Sequence, residues 1–488
     1  YAIVLTLIVL TLLAVSISRI HTVKTKADFL VAGRTLPWFV LVFTLLSSWI
    51  GAGSLFAGAE NAFRNGFAAL WQPAGGWAGL LIIFFVASRA RKFAQYTIPD
   101  LLETRYNSAA RVLGAIAILF AFTAITSYQF KGGGDILHLI FPDVSKAQGT
   151  YIIAAFVIVF TALAGMSSVA YLDVVIGLLI TVTGLIAAPI LFAKAGGWAG
   201  MHAALPETHF QLFGEFGFRD GVSQGAWAGF TRAMEYFFPV FLLMLGNQSM
   251  YQKFFSAKSE RDARIAVSGW IIGTLVLETL IVTIAVLGSA LYWDLPRTDL
   301  NPREIIPYSA RHGLPAFIGA LLMGAVFAKV ISTANNYLFS PATNLINDVY
   351  TRFIKRDASH ANVLVVSRVL VVALGIWALV QAVHAESILQ KAMYAYTIYS
   401  AAITPVVMAA FFWRRATAPA AVVSIALGTA MTVFWDLGKG MLPADWAARD
   451  AIFPALVVSL AALIIVSALT PAPRREQWAP FFAQEGAD

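Results

Sequence analysis

The chain has 488 residues, of which 59% are hydrophobic and 12% charged, with a mean hydropathy of +0.75. A soluble domain carries about 25% charged residues, so the composition excludes one and describes an all-α polytopic membrane protein, its lipid-depth backbone satisfied within helices. The absence of cysteine excludes a disulfide framework, a thiolate metal site and a cysteine nucleophile. A net charge of +8 suggests a nucleic-acid partner only if the basic residues cluster, and they lie mostly in alternate loops.

Apolar runs of about 18 or more residues predict thirteen transmembrane helices. They fall near 1–18, 36–60, 67–88, 110–140, 149–165, 169–194, 226–250, 264–293, 314–346, 362–384, 387–413, 417–436 and 451–470. An odd number puts the termini on opposite sides. The first loop holds Arg19, Lys24, Lys26 and Arg34, and the third Arg89, Arg91, Lys92, Arg105 and Arg111. The seventh holds Lys253, Lys258, Arg261 and Arg264, the ninth Arg352, Lys355 and Arg356, and the eleventh Arg414 and Arg415. By the positive-inside rule the N-terminus is expected outside and the C-terminus in the cytoplasm, in a multi-pass inner-membrane protein.

Two segments read as broken helices. Thr44 to Ser54 places Ser47, Ser48, Gly51, Gly53 and Ser54 at mid-depth, and Phe238 to Ser249 carries Pro239, Gly246 and Asn247. They start five helices apart. An odd offset inverts the second repeat relative to the first, and discontinuous helices in matching positions point to a transporter's binding site.

The apolar run from Ala316 to Leu338 contains Lys329, Ser332 and Thr333. On a helix these share one face. A cation at membrane depth costs roughly 2.5–3.5 kcal/mol on insertion scales, so the face is a functional candidate.

Four stretches carry a family resemblance: Asp28 to Trp38, Tyr96 to Tyr106, Gln252 to Ser259, and Ser332-Thr333 through Asn347-Asp348 to Tyr350. Their order and spacing resemble the sodium:solute symporter family, whose members carry sugars, proline, pantothenate, sialic acid or choline. The resemblance implies a LeuT-like fold of two inverted five-helix repeats. The chain would divide into 1–35 (leading helix and cytoplasmic loop), 36–215 (first repeat), 216–415 (second repeat) and 416–488 (two trailing helices and tail).

The resemblance also implies a sodium site made of carbonyls from Ser47, Ile50 and position 329 and hydroxyls from Ser332 and Thr333. Hard oxygen ligands on unwound backbone suit Na⁺. Lys329 departs from the family, which usually has a small residue there. An ammonium close by repels Na⁺ or takes its place. Asp173 falls where the family keeps an acid near the ion's exit, and a Lys329–Asp173 ion pair is expected. Two accounts stay open. Lys329 is a tethered cation, with coupling to H⁺ or to no ion, or it bends to Asp173 and Na⁺ still binds.

Gln129, Lys131 and Asp135 form a polar patch expected to face the bundle cavity, and Glu278 and Lys391 are lone ionisable groups facing water or each other. By resemblance, Trp49, Ser54, Gln72 and Asn247 fall at or beside solute-binding positions, with Gln129 and Lys131 as further candidates. Trp49-Ile50-Gly51-Ala52-Gly53 is similar to a stretch of the choline-carrying branch, and an indole at this position is able to stack on a quaternary ammonium. Gly53 and Pro73 replace the acids that grip sugar hydroxyls, which disfavours a sugar. An amino acid, a small carboxylate or a quaternary amine remains, and a lysine near the pocket favours an anion or zwitterion.

The expected function is secondary active transport of a small organic solute. The alternative is a transporter-like sensor module, since some domains of this family are fused to signalling kinases; nothing after Arg475 reads as such a domain. No nucleophile–base pair or cofactor motif supports an enzyme.

Overall fold

The computed structural model describes residues 1–20, 25–93, 95–163, 166–219, 221–296, 299–384, 387–447 and 449–482; Lys24, counted above among the basic residues of the first loop, lies outside them. Among the described residues, eleven helices are long and apolar enough to cross a membrane, and two apolar helices, Ala2–Val15 and Trp38–Trp49, are shorter. The one described sheet is a minimal hairpin, Phe218–Arg219 against Val222–Ser223, in the long connection before Ala226. Polar side chains start several long helices: Asn107 caps Ser108–Ile140 and Ser259 caps Glu260–Tyr292, each accepting from an otherwise orphaned amide.

The helix Ala316–Asn344 forms the axis of the bundle, packed against Ser108–Ile140 and Met166–Lys194. Its most apolar stretch is 78% buried, against 28% for the peripheral Ile452–Leu469. Lys329, Ser332 and Thr333 therefore sit at the protein's centre, away from lipid.

Both expected helix breaks are present. Trp38–Trp49 ends at Ile50, which is extended (φ −85°, ψ 115°), and helical winding resumes by Gly53. Ala226–Gly246 ends at Asn247 (φ −67°, ψ 114°), before Gln248–Ser256. Tyr399 satisfies the second break on both sides: its hydroxyl accepts from Gln248 N at 3.0 Å and donates to Gly246 O at 2.6 Å. A third interruption, at Ile403 between Ile388–Ala402 and Thr404–Phe412, falls inside the run read as one helix over 387–413. Pro405 explains it, because proline has no amide to continue the ladder.

The four family-like stretches converge at the basic end of the bundle. Leu36 N donates to Ser256 O and Lys258 N to Leu36 O, at 3.1 and 2.9 Å. Lys26 donates to Asn347 Oδ1 at 2.7 Å, and Gln252 to Leu30 O at 2.8 Å. Arg111 is the hub, meeting Asp348 at 2.7 Å, Asp100 at 3.1 Å and also Glu103. Thr97 adds a bond to Asp348 at 2.9 Å. Burial works against the charge of Glu103, but hydrogen bonds from Ser108, Arg111 and Arg352 outweigh it and hold its carboxyl down at about 2. Glu103 therefore stays ionised at physiological pH.

Three residues counted as loop charges are not solvated. Arg105 is buried against the carbonyls of Trp413 and Arg414, Arg111 is buried in the knot, and Lys253 lies inside the helix Gln248–Ser256 with 0% exposure. Position beside a basic loop does not reveal that a helical turn points one lysine inward.

Removing Arg111 strands the buried Asp348 carboxylate, and breaking such a pair costs about 3–5 kcal/mol. Arg111→Ala is expected to lower the melting temperature in detergent well beyond Arg352→Ala, whose half-exposed pair contributes about 1 kcal/mol or less.

Candidate ion and solute sites

The first break and the axial helix build one oxygen cluster. Thr333 Oγ1 lies 2.9 Å from Ser47 O, 2.8 Å from Ile50 O and 2.9 Å from Lys329 O. Ser47 O and Ile50 O are freed because the helix ladder stops at Ile50. The approach requires Gly51: a Cβ there would lie 2.6 Å from Thr333 Cγ2. Three carbonyls and a hydroxyl on one point are a hard-oxygen set that fits a small monovalent cation.

Lys329 is fully buried and donates to Ser47 Oγ at 2.8 Å. The expected direct Lys329–Asp173 pair does not form. Asp173 instead accepts from Ser332 on one oxygen and from Thr44 (2.5 Å) and Asn336 (3.4 Å) on the other. Neutral donors from two helices fill three of the carboxylate's roughly four acceptor positions, and the ammonium rests against the break. Ser332 turns to Asp173 and not to the carbonyl cluster. Lys253, unrecognised from the sequence as part of this region, donates to Asn336 Oδ1 at 2.9 Å and to Ser249 Oγ at 3.0 Å. Two buried lysines thus flank one buried carboxylate.

On the other side of the break lies a narrow, partly open cavity. Trp49, Ser54, Gln72 and Gln129 line it together with Thr333. Asn247 is not among its walls; it caps Ser249 N and donates to Tyr337 Oη at 2.9 Å, holding the second break beside the cavity. Lys131 is also not in the lining, and Asp135 is drawn away to Arg303, 3.0 Å distant. The expected polar patch is therefore split, and the lysine argument for an anionic solute loses its basis.

Gln129 has a structural task as well: its Oε1 accepts from Ala52 N at 2.7 Å, capping the exposed amide of the break. The cavity also holds Tyr128, Tyr337 and Tyr396, which the sequence reading missed. Tyr128 and Tyr396 share a hydrogen bond at 3.1 Å. A Cβ at Gly53 would lie 2.2 Å from Tyr396 Oη, so the glycine that replaces a sugar-binding acid makes room for this hydroxyl. Glu278 enters the cavity too, bonded by Trp49 and Trp77, while the electrostatic partner of Lys391 is Asp436. The two ionisable groups do not face each other.

Gln129→Leu removes the acceptor for Ala52 N and is expected to destabilise the protein by about 1–3 kcal/mol, the cost of an unsatisfied buried donor. A lowered unliganded melting temperature identifies the capping role; a solute contact alone would leave that temperature unchanged.

The sodium:solute symporter family model matches residues 29–428. The high-affinity proline transporter PutP of Bacillus subtilis is 25% identical over 91% of this chain and 93% of its own length. The sodium/proline symporter of Escherichia coli is 23% identical over 93% and 90%. Among solved structures, a substrate-bound, outward-open Na⁺-coupled sialic acid symporter superposes with a TM-score of 0.83 at 17% identity, covering 97% of this chain and 98% of that one. MhsT in complex with L-phenylalanine superposes at 0.56, covering 88% and 98%. The fold is LeuT-like, and with the family model spanning most of its length the chain belongs to the sodium:solute symporter family and is a secondary active solute transporter.

Proposed function

We propose that this chain moves a small organic solute across the cell's inner membrane by alternating access, in symport with Na⁺. The observation that carries the ion assignment is the convergence of Ser47 O, Ile50 O and Lys329 O on Thr333 Oγ1. Ser332 and Asp173 stand beside that cluster as its outer shell. The inverted repeats are read as 36–215 and 216–415, each opening with one of the two broken helices, and the solute occupies the cavity behind the first break.

Lys329 modifies this site. Its ammonium is bonded to the same serine whose carbonyl lines the cluster. Unit charges about 5 Å apart repel by about 3 kcal/mol at an effective dielectric near 20. The lysine thus weakens Na⁺ binding without occupying its place. A second reading, with Lys329 as a resident cation and transport independent of Na⁺, is favoured by the same bond.

Binding of ²²Na⁺ to the purified protein separates the two. Saturable binding is expected, lost in Thr333→Ala and tightened about tenfold or more in Lys329→Ala. No binding by the native protein, with binding gained in Lys329→Ala, selects the tethered-cation reading.

The basic end, with its knot around Arg111, is assigned to the cytoplasm, which places the N-terminus outside and the C-terminus inside. Because the chain has no cysteine, single cysteines report sidedness cleanly. Lys258→Cys and Ser223→Cys are both at exposed positions. An impermeant maleimide added outside spheroplasts is expected to label only Ser223→Cys; the opposite pattern inverts the assignment.

A further inference from the structure

Glu278 is 5% exposed, on the helix Glu260–Tyr292, and is the one charged side chain in the cavity lining. Oε1 accepts from Trp49 Nε1 at 2.9 Å and Ser54 Oγ at 3.5 Å, and Oε2 accepts from Trp77 Nε1 at 3.1 Å. Donors approach both oxygens, an arrangement that a glutamine cannot accept and an ionised carboxylate can. Three of its roughly four acceptor positions are filled, which leaves one. No lysine, arginine or histidine among the described residues forms an ion pair with it. A carboxylate at membrane depth with no counter-charge is costly, and such groups mark substrate or ion pathways.

The rest of the wall indicates which cation fits. Trp49, Tyr128, Tyr337 and Tyr396 bring aromatic rings to the same cavity. Electron-rich rings beside a carboxylate favour an organic ammonium, at about 0.5–2 kcal/mol for a cation–π contact. An anionic solute would meet Glu278 with no lining cation to compensate.

We infer that Glu278 is the specificity determinant of the solute cavity and binds a positively charged nitrogen of the solute, so that the protein selects organic ammonium compounds over carboxylates without an amine. The inference rests on the transporter reading for the meaning of the cavity. An amino acid, a simple amine and a quaternary compound all carry such a nitrogen, and the test distinguishes these sources.

The test is titration calorimetry on the purified full chain with four probes: L-proline, pyrrolidine, choline and cyclopentanecarboxylate. At least one of the first three is expected to bind and cyclopentanecarboxylate to fail. L-Proline alone marks an amino acid, pyrrolidine a simple amine and choline a quaternary nitrogen. Glu278→Gln is expected to weaken the bound amine by about tenfold or more while ²²Na⁺ binding persists, and Glu278→Asp to retain part of the affinity. Binding of cyclopentanecarboxylate as tight as the best amine, an amine affinity unchanged in Glu278→Gln, or no amine binding at all overturns the inference. The comparison of amine with carboxylate on the native protein stands even where a variant fails to fold. A native protein that binds an amine through Glu278 but never carries it into proteoliposomes overturns the transporter reading and leaves this inference intact.

Discussion

The interrupted backbone between Ile50 and Gly53 is the constraint on which the rest depends. At membrane depth there is no water to satisfy freed peptide groups, so a broken helix survives only where protein supplies partners. Thr333 meets the carbonyls of Ser47 and Ile50, and Gln129 takes the amide of Ala52. These contacts join the first broken helix to the axial helix Ala316–Asn344 and to Ser108–Ile140. The same break has two chemical faces. The carbonyls of Ser47 and Ile50 meet Thr333 on one face; on the other, Trp49, Gly53 and Ser54 line the cavity. The proposed ion and solute sites thus lie on opposite sides of one short stretch of unwound chain.

Much of this was legible in the sequence, for definite reasons. Glycine and serine clusters inside apolar runs also serve helix packing, as Gly132 to Gly134 do within Ser108–Ile140; what marked the breaks was two such segments in matching positions five helices apart. Lys329, Ser332 and Thr333 stand out through helical spacing within a hydrophobic run. What could not be read is pairing across distance. Trp49 and Glu278 are 229 residues apart, and only the packing of Glu260–Tyr292 beside the break brings them together. Tyr128, Tyr337 and Tyr396 look like ordinary core aromatics along their helices. The Lys329–Asp173 pair failed for the complementary reason: matching opposite charges ignores that Ser332, Thr44 and Asn336 satisfy the carboxylate first.

The charges of the interior are segregated. Arg111, Asp348, Asp100 and Glu103 tie the basic end shut in a network rich in acids. Nearer the centre, Lys329 and Lys253 outnumber Asp173, and both ammonium groups are held by neutral oxygens. Beyond the break, Glu278 is the one charge in the cavity wall.

Thr333 connects the two occupants mechanically. Its hydroxyl holds the carbonyls of the break, and its side chain forms part of the solute cavity wall. An ion that takes over the carbonyls of Ser47 and Ile50 displaces that hydroxyl's bonds, and the tight contact with Gly51 transmits the shift to the backbone from which Trp49 and Ser54 project. Those two side chains hold Glu278 in place. In the proposed symport, ion occupancy would reach Glu278 through one hydroxyl, one glycine and one indole, and the two ligands need not touch.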